Sequence, residues 1–125
     1  MIKFYHHYKH VNEWFWPNFS PQEIACKGTG QLLVDYYSMD CLQRARSDLG
    51  KPFYINSAYR SEKHNAMIGG APLSMHLTGQ AFDISLRNIR HKESLINILE
   101  LSGFTGFGIN YRTFVHVDTG RIRKW

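Results

Sequence analysis

Apolar positions recur at helical spacing along residues 31–49, through Val34, Tyr37, Cys41, Ala45 and Leu49, and Gly50 and Pro52 end the run. A single long helix is predicted there. Leu95, Ile96 and Leu99 predict a second helix over 92–101, closed by Gly103. Residues 53–59 read as a strand, bounded by Pro52 and by Arg60-Ser61-Glu62-Lys63. A loop or short helix then leads through Gly69-Gly70-Ala71-Pro72 to a strand around 81–86, and two short strands are predicted near 107–111 and 113–118. Ser20, Pro21 and Glu23 have the pattern of an N-cap, a proline at the first helical position and an acidic first turn, so a short helix starts there and ends by Lys27-Gly28-Thr29-Gly30. Residues 1–18 are aromatic-rich and read as irregular. Strands and helices mixed without regular alternation predict an α+β fold, with a small antiparallel sheet packed against helices. No repeat or linker interrupts the pattern, and one domain is expected over 1–125.

Composition adds limits. A chain of 125 residues is long enough to bury a core without disulfides. No apolar run approaches the roughly 20 residues that span a bilayer, so no membrane insertion is expected. The N-terminus lacks the apolar stretch and cleavage site of a secretory signal, which predicts synthesis in the cytoplasm without a signal peptide. The net charge of +5 favours anionic partners, but its arginines and lysines are scattered and form no nucleic-acid-reading motif. No nucleic-acid partner is expected. Cys26 and Cys41 are too few and too far apart in sequence for a disulfide framework or a thiolate metal site, and both are expected to be free, reduced and structural.

Two segments carry chemistry. In Ser74-Met75-His76-Leu77-Thr78-Gly79-Gln80-Ala81-Phe82-Asp83-Ile84, strand alternation puts Phe82 and Ile84 on one face and Asp83 on the other. A carboxylate buried in a strand requires a cation, donors or water. His76 precedes it by a Gly79 turn that could fold the imidazole back over it. In Phe114-Val115-His116-Val117-Asp118, the valines share one face while His116 and Asp118 share the other. Two histidines, a carboxylate and an open position describe a catalytic zinc site, although the same donors also suit iron or manganese. No His-Glu-x-x-His helix, phosphate loop or nucleophile elbow is present.

Ser74-x-His76-x-x-Gly79-x-Ala81-x-Asp83, followed by Phe114-Val-His116-Val-Asp118, resembles the zinc D-Ala-D-Ala carboxypeptidase and murein endopeptidase family, which shares its fold with the hedgehog signalling domain. Asn56-Ser57-Ala58-Tyr59-Arg60, His64-Asn65 and Gly69-Gly70-Ala71 add to the likeness, as do residues 19–26 and the ending from Val117 to Trp125. The resemblance implies a zinc metallopeptidase that hydrolyses peptide bonds of bacterial peptidoglycan, as carboxypeptidase or endopeptidase, with His76, Asp83 and His116 as zinc ligands. Several branches of the family carry a histidine two residues before the last ligand or an acidic residue three before it; Phe114 and Thr113 stand there instead. Asp118 is therefore the expected general base, with alternative roles in orienting His116 or an arginine, or in touching the metal. Arg60 is expected to stabilise the oxyanion or grip a substrate carboxylate. His64 is a weaker candidate near the site, and His6, His7 and His10 read as surface residues. The expected protein is a monomer acting at the cell wall or periplasm, reached through phage holin- or virion-mediated delivery. The competing reading is a wall-binding module of the same fold that keeps zinc without turnover.

Overall fold

Leu32 and Val34 alternate inward along an extended segment, and this decides the largest departure from the helical reading of residues 31–49. The computed structural model, which describes residues 1–125, has a strand over Leu32–Asp35 and a helix that begins only at Tyr36. The strand is β2; it pairs antiparallel with β1, Ile2–Tyr5, in the segment expected to be irregular. The helix, α2, runs Tyr36–Leu49, and the Asp35 side chain caps it by accepting from Ser38 N–H. Apolar residues spaced two apart in a strand and three to four apart in the helix that follows merge into one continuous pattern, so periodicity alone could not separate them.

The other elements follow the sequence more closely. Ser20 and Glu23 form a reciprocal capping box on α1, Pro21–Ile24. Then come β3 (Ile55–Ser57), α3 (Glu62–Met67), β4 (Ala81–Ser85), α4 (Lys92–Leu101), β5 (Gly106–Gly108), β6 (Phe114–Asp118) and β7 (Arg123–Lys124). The main sheet has the order β3-β4-β6-β5-β7, antiparallel except for the terminal β5–β7 pair. This is the expected α+β fold with a small antiparallel sheet. No helix is long and apolar enough to cross a membrane.

One core holds the layers together. Phe82, Ile84, Val115, Val117 and Phe107 of the main sheet belong to the same buried cluster as Leu42 and Ala45 of α2 and Leu95 and Leu99 of α4. The Phe82 and Phe104 rings meet edge to face with centroids 6.1 Å apart. Both cysteines are buried and free. The sheet face opposite this core carries the polar residues of β4 and β6.

Because Leu99 is fully buried while Leu101, two residues on, is 85% exposed, their truncations should separate core packing from helix propensity. Leu99→Ala should cost about 2–5 kcal/mol in chemical denaturation, and Leu101→Ala should stay within about 0.5 kcal/mol. Equal losses at the two sites would mean that α4 does not pack as described.

Candidate metal centre

Strand register brings the two predicted segments together. β4 and β6 pair antiparallel so that Asp83 lies directly opposite His116, and Ala81 opposite Asp118. Antiparallel alternation then puts both partners of the Asp83–His116 pair on the face away from the core. His76 reaches the same point from a 3-10 turn, Met75–Thr78. Ser74 caps that turn, and Gly79 closes it at φ +73°, where a side chain would also run into the Leu33 carbonyl. Chain reversal over so few residues folds the imidazole back toward Asp83.

The resulting geometry is specific. His76 Nε2 lies 3.3 Å from Asp83 Oδ1, and His116 Nδ1 lies 3.0 Å from the same oxygen. One donor atom from each of the three residues falls within 4.8 Å of the others. The outer nitrogens are occupied by acceptors: His76 Nδ1 by the Ala58 carbonyl at 2.6 Å, and His116 Nε2 by Asp118 Oδ2 at 2.7 Å. Neutral imidazoles carry one proton each, and these outer acceptors claim it. In those tautomers three lone pairs face one another, an arrangement suited to a cation. The donor set therefore fits a metal ion. Burial alone would lower the His116 pKa, but the Asp118 and Asp83 carboxylates more than offset that and raise it. Burial likewise opposes ionisation of Asp83, yet the His116 and His76 imidazoles hold its carboxyl well below the usual range.

Asp118 shares the face of His116, as alternation requires, but it does not line the cleft. It is completely buried. Arg123 grips it with two bonds, Nη1 to Oδ1 at 2.8 Å and Nη2 to Oδ2 at 2.7 Å, and Gly120 N–H adds a third donor at 3.0 Å. With His116 as the fourth, both oxygens are engaged. Burial would raise its pKa, but His116 and Arg123 hold it far below the ordinary value. A general base needs a lone pair directed at the cleft, and this carboxylate has none to spare. Arg123 was not foreseen. Its signal was Gly106 in β5, which faces both Asp118 and Arg123 in the register; a Cβ there would overlap the carboxylate and the guanidinium.

Arg60 does lie in the cleft. Its Nε donates to Ser57 Oγ at 3.0 Å, its Nη1 to Asn65 Oδ1 at 3.2 Å and its Nη2 to Asp83 Oδ2 at 3.4 Å. Asn65 in turn donates to the Ala71 carbonyl, so Asn65 and Ala71, both noted in sequence, build the seat of Arg60. His64 points elsewhere, against Gly28. His7 stacks on Tyr8 and accepts from Lys9 N–H, apart from the centre.

The three donor residues line a cleft of about 560 Å³ together with Arg60, Arg121, Arg123 and Lys124. A family model for Peptidase M15 matches residues 17–118, which include His76, Asp83, His116, Arg60 and Asp118. The chain belongs to the Peptidase M15 family. A comparison with curated proteins found no match. M15 membership makes the chain a hydrolase of peptide substrates, in a family whose peptidases depend on zinc, and the His76-Asp83-His116 group is where this member could hold its metal.

Replacing Asp118 by Asn keeps its shape but removes the charge that Arg123 and His116 meet. Asp118→Asn should lower folding stability by about 1–3 kcal/mol, even with metal absent. An unchanged unfolding midpoint would show that the carboxylate does not act as a structural clamp.

Proposed function

We propose that this chain is a zinc peptidase that hydrolyses peptide bonds in bacterial peptidoglycan, with metal held by His76 Nε2, Asp83 Oδ1 and His116 Nδ1. The observation that carries the reading is the convergence of three acceptor atoms on the floor of a cleft in a member of this family. Two imidazoles and one carboxylate are the donor set of hydrolytic rather than structural zinc. When bound, zinc supplies Lewis-acid chemistry, polarising a carbonyl and making water a competent nucleophile near neutral pH.

The chain's own residues supply orientation and charge. The Ala58 carbonyl and Asp118 hold the protons of His76 and His116 on their outer nitrogens, which keeps the inner lone pairs available. Asp118 is assigned this orienting role in place of the general base, and Arg123 keeps its carboxylate ionised. The Arg60 guanidinium, anchored on three sides, meets the carbonyl oxygen as negative charge develops, or a substrate carboxylate. Arg121 and Lys124 on the rim add positive charge, which suits a stem peptide rich in carboxylates. The site of action is then the cell wall or periplasm, reached through a phage holin or as a virion component, and one chain is the working unit.

One observation favours a second reading. Asp83 is the sole carboxylate lining the cleft, so no acidic side chain stands ready as a proton acceptor. A zinc-retaining module that binds the wall without cutting it would need none.

Elemental analysis should find about one zinc per chain, and Ala at His76, Asp83 or His116 should abolish both metal and digestion of purified peptidoglycan. Mass spectrometry of the released muropeptides identifies the bond. Full metal content in any two variants would defeat the ligand set, and a zinc-loaded wild type that releases nothing would favour the silent module. Arg60→Lys should keep zinc yet reduce turnover by about tenfold or more, because a single ammonium cannot reproduce the planar fork. Unaltered turnover would remove Arg60 from the reaction.

A further inference from the structure

One wall of the cleft is aromatic, and neither the core nor the metal centre accounts for it. Tyr111, Phe114 and Trp125 line it beside His116. Tyr111 and Trp125 remain 38% and 40% exposed, and neighbouring exposed aromatic rings at a cleft mark a binding surface. These rings are held firmly. Trp125 Nε1 donates to Tyr111 Oη at 3.0 Å, and Tyr111 stacks on Phe114 with centroids 4.4 Å apart. The Trp125 backbone is tied to the β5 edge on both sides, donating to Phe107 O at 2.8 Å and accepting from Ile109 N–H at 2.6 Å. Gly108 makes the room, since a Cβ there would press on both rings. Phe114 covers one face of Tyr111 and the Arg123 guanidinium covers one of Trp125 at 4.8 Å. A rigid ledge with little entropy left to lose is well suited to bind a flat apolar surface with polar edges.

The stem peptide of peptidoglycan offers no such surface. Its side chains are small or charged: alanine, glutamate, a diamino acid. The amino sugar that carries the stem does offer one, with C–H bonds across a face of the pyranose and hydroxyl and N-acetyl groups at its edges. We propose that the Tyr111–Trp125 ledge, set against the His116 side of the metal centre, is a subsite for the N-acetylated amino sugar of the substrate; this rests on the peptidoglycan reading and adds that the peptide is recognised while attached to glycan. A position for the cut follows. The Trp125 ring lies only 5.2 Å from the His116 ring, and an extended chain advances at most about 3.6 Å per residue. A sugar on the ledge therefore places the scissile bond near the sugar-proximal end of the stem, not at its distal cross-link.

The test compares two substrates with the zinc-loaded full chain: a muropeptide bearing its disaccharide, and the same peptide after the sugar has been removed. Wild type should prefer the sugar-bearing form by about tenfold in kcat/KM, and Trp125→Ala and Tyr111→Ala should erase most of that preference. Trp125→Phe, which keeps a ring, guards against misfolding and should retain a measurable preference. The peptide-free disaccharide, added to metal-free protein, should shift the Trp125 indole N–H resonance while those of Trp14 and Trp16 stay in place. Equal cleavage of both forms, or an unmoved Trp125 resonance, overturns the sugar subsite and leaves the peptidoglycan reading standing. Cleavage of neither form by zinc-loaded wild type sinks that reading, and the disaccharide titration still decides the ledge.

Discussion

Three donor atoms gathered at one place, with an acceptor behind each imidazole, is the constraint from which the rest of this site follows. His76 and His116 each have an acceptor behind the ring, the Ala58 carbonyl and Asp118, which favours the tautomers that turn a bare nitrogen toward Asp83. Such a cluster is unfavourable unless a cation fills it, and metal binding to it is inseparable from the tautomers that its neighbours impose. Around that point the demands propagate outward. The Ala58 carbonyl must end β3 where it does. Asp118 must stay ionised in a dry setting, which takes Arg123. Arg123 must cross the sheet, which takes Gly106.

The sheet lets such costly groups coexist with a stable fold because its two faces do different work. Phe82, Ile84, Val115 and Val117 bury into the helices, while Asp83, His116 and Asp118, in the alternate positions of the same two strands, form the site. The core thereby fixes the backbone spacing on which the geometry of these polar groups depends. Burial of Asp118 with its partners contributes little net stability compared with an apolar packing of the same volume. Its value is in orientation: a carboxylate held by four donors cannot swing away from His116.

Charge and shape in the cleft come from separate devices. Arg60, Arg121 and Lys124 supply positive potential around the floor, and Asp83, the one lining carboxylate, is committed to the centre. The aromatic wall contributes contact area rather than charge, and it is built from Tyr111 in the loop before β6, Phe114 at the start of β6 and Trp125 just after β7.

Local chemistry was sufficient to read much of this from sequence. Ser20-Pro21-Gln22-Glu23 states its own helix start, residues 92–101 their own helix, and period-two alternation assigns Asp83, His116 and Asp118 to the polar faces of their strands. The motif resemblance gave the family and the three candidate donors, all of which converge in the fold. What remained hidden depends on distance in sequence. The β2–α2 junction was illegible because inward positions of a strand and a helix ran on in one pattern, and only pairing with β1, some thirty residues earlier, separates them. The direction in which Asp118 points could not be read either: alternation gives a face, not a partner, and Arg123 takes the carboxylate only because β7 returns beside β5. Sequence determined which groups stand on the polar face, since that is a property of strand periodicity. Tertiary structure decided which atoms they turn toward, since that is set by register between strands that the chain brings together from far apart.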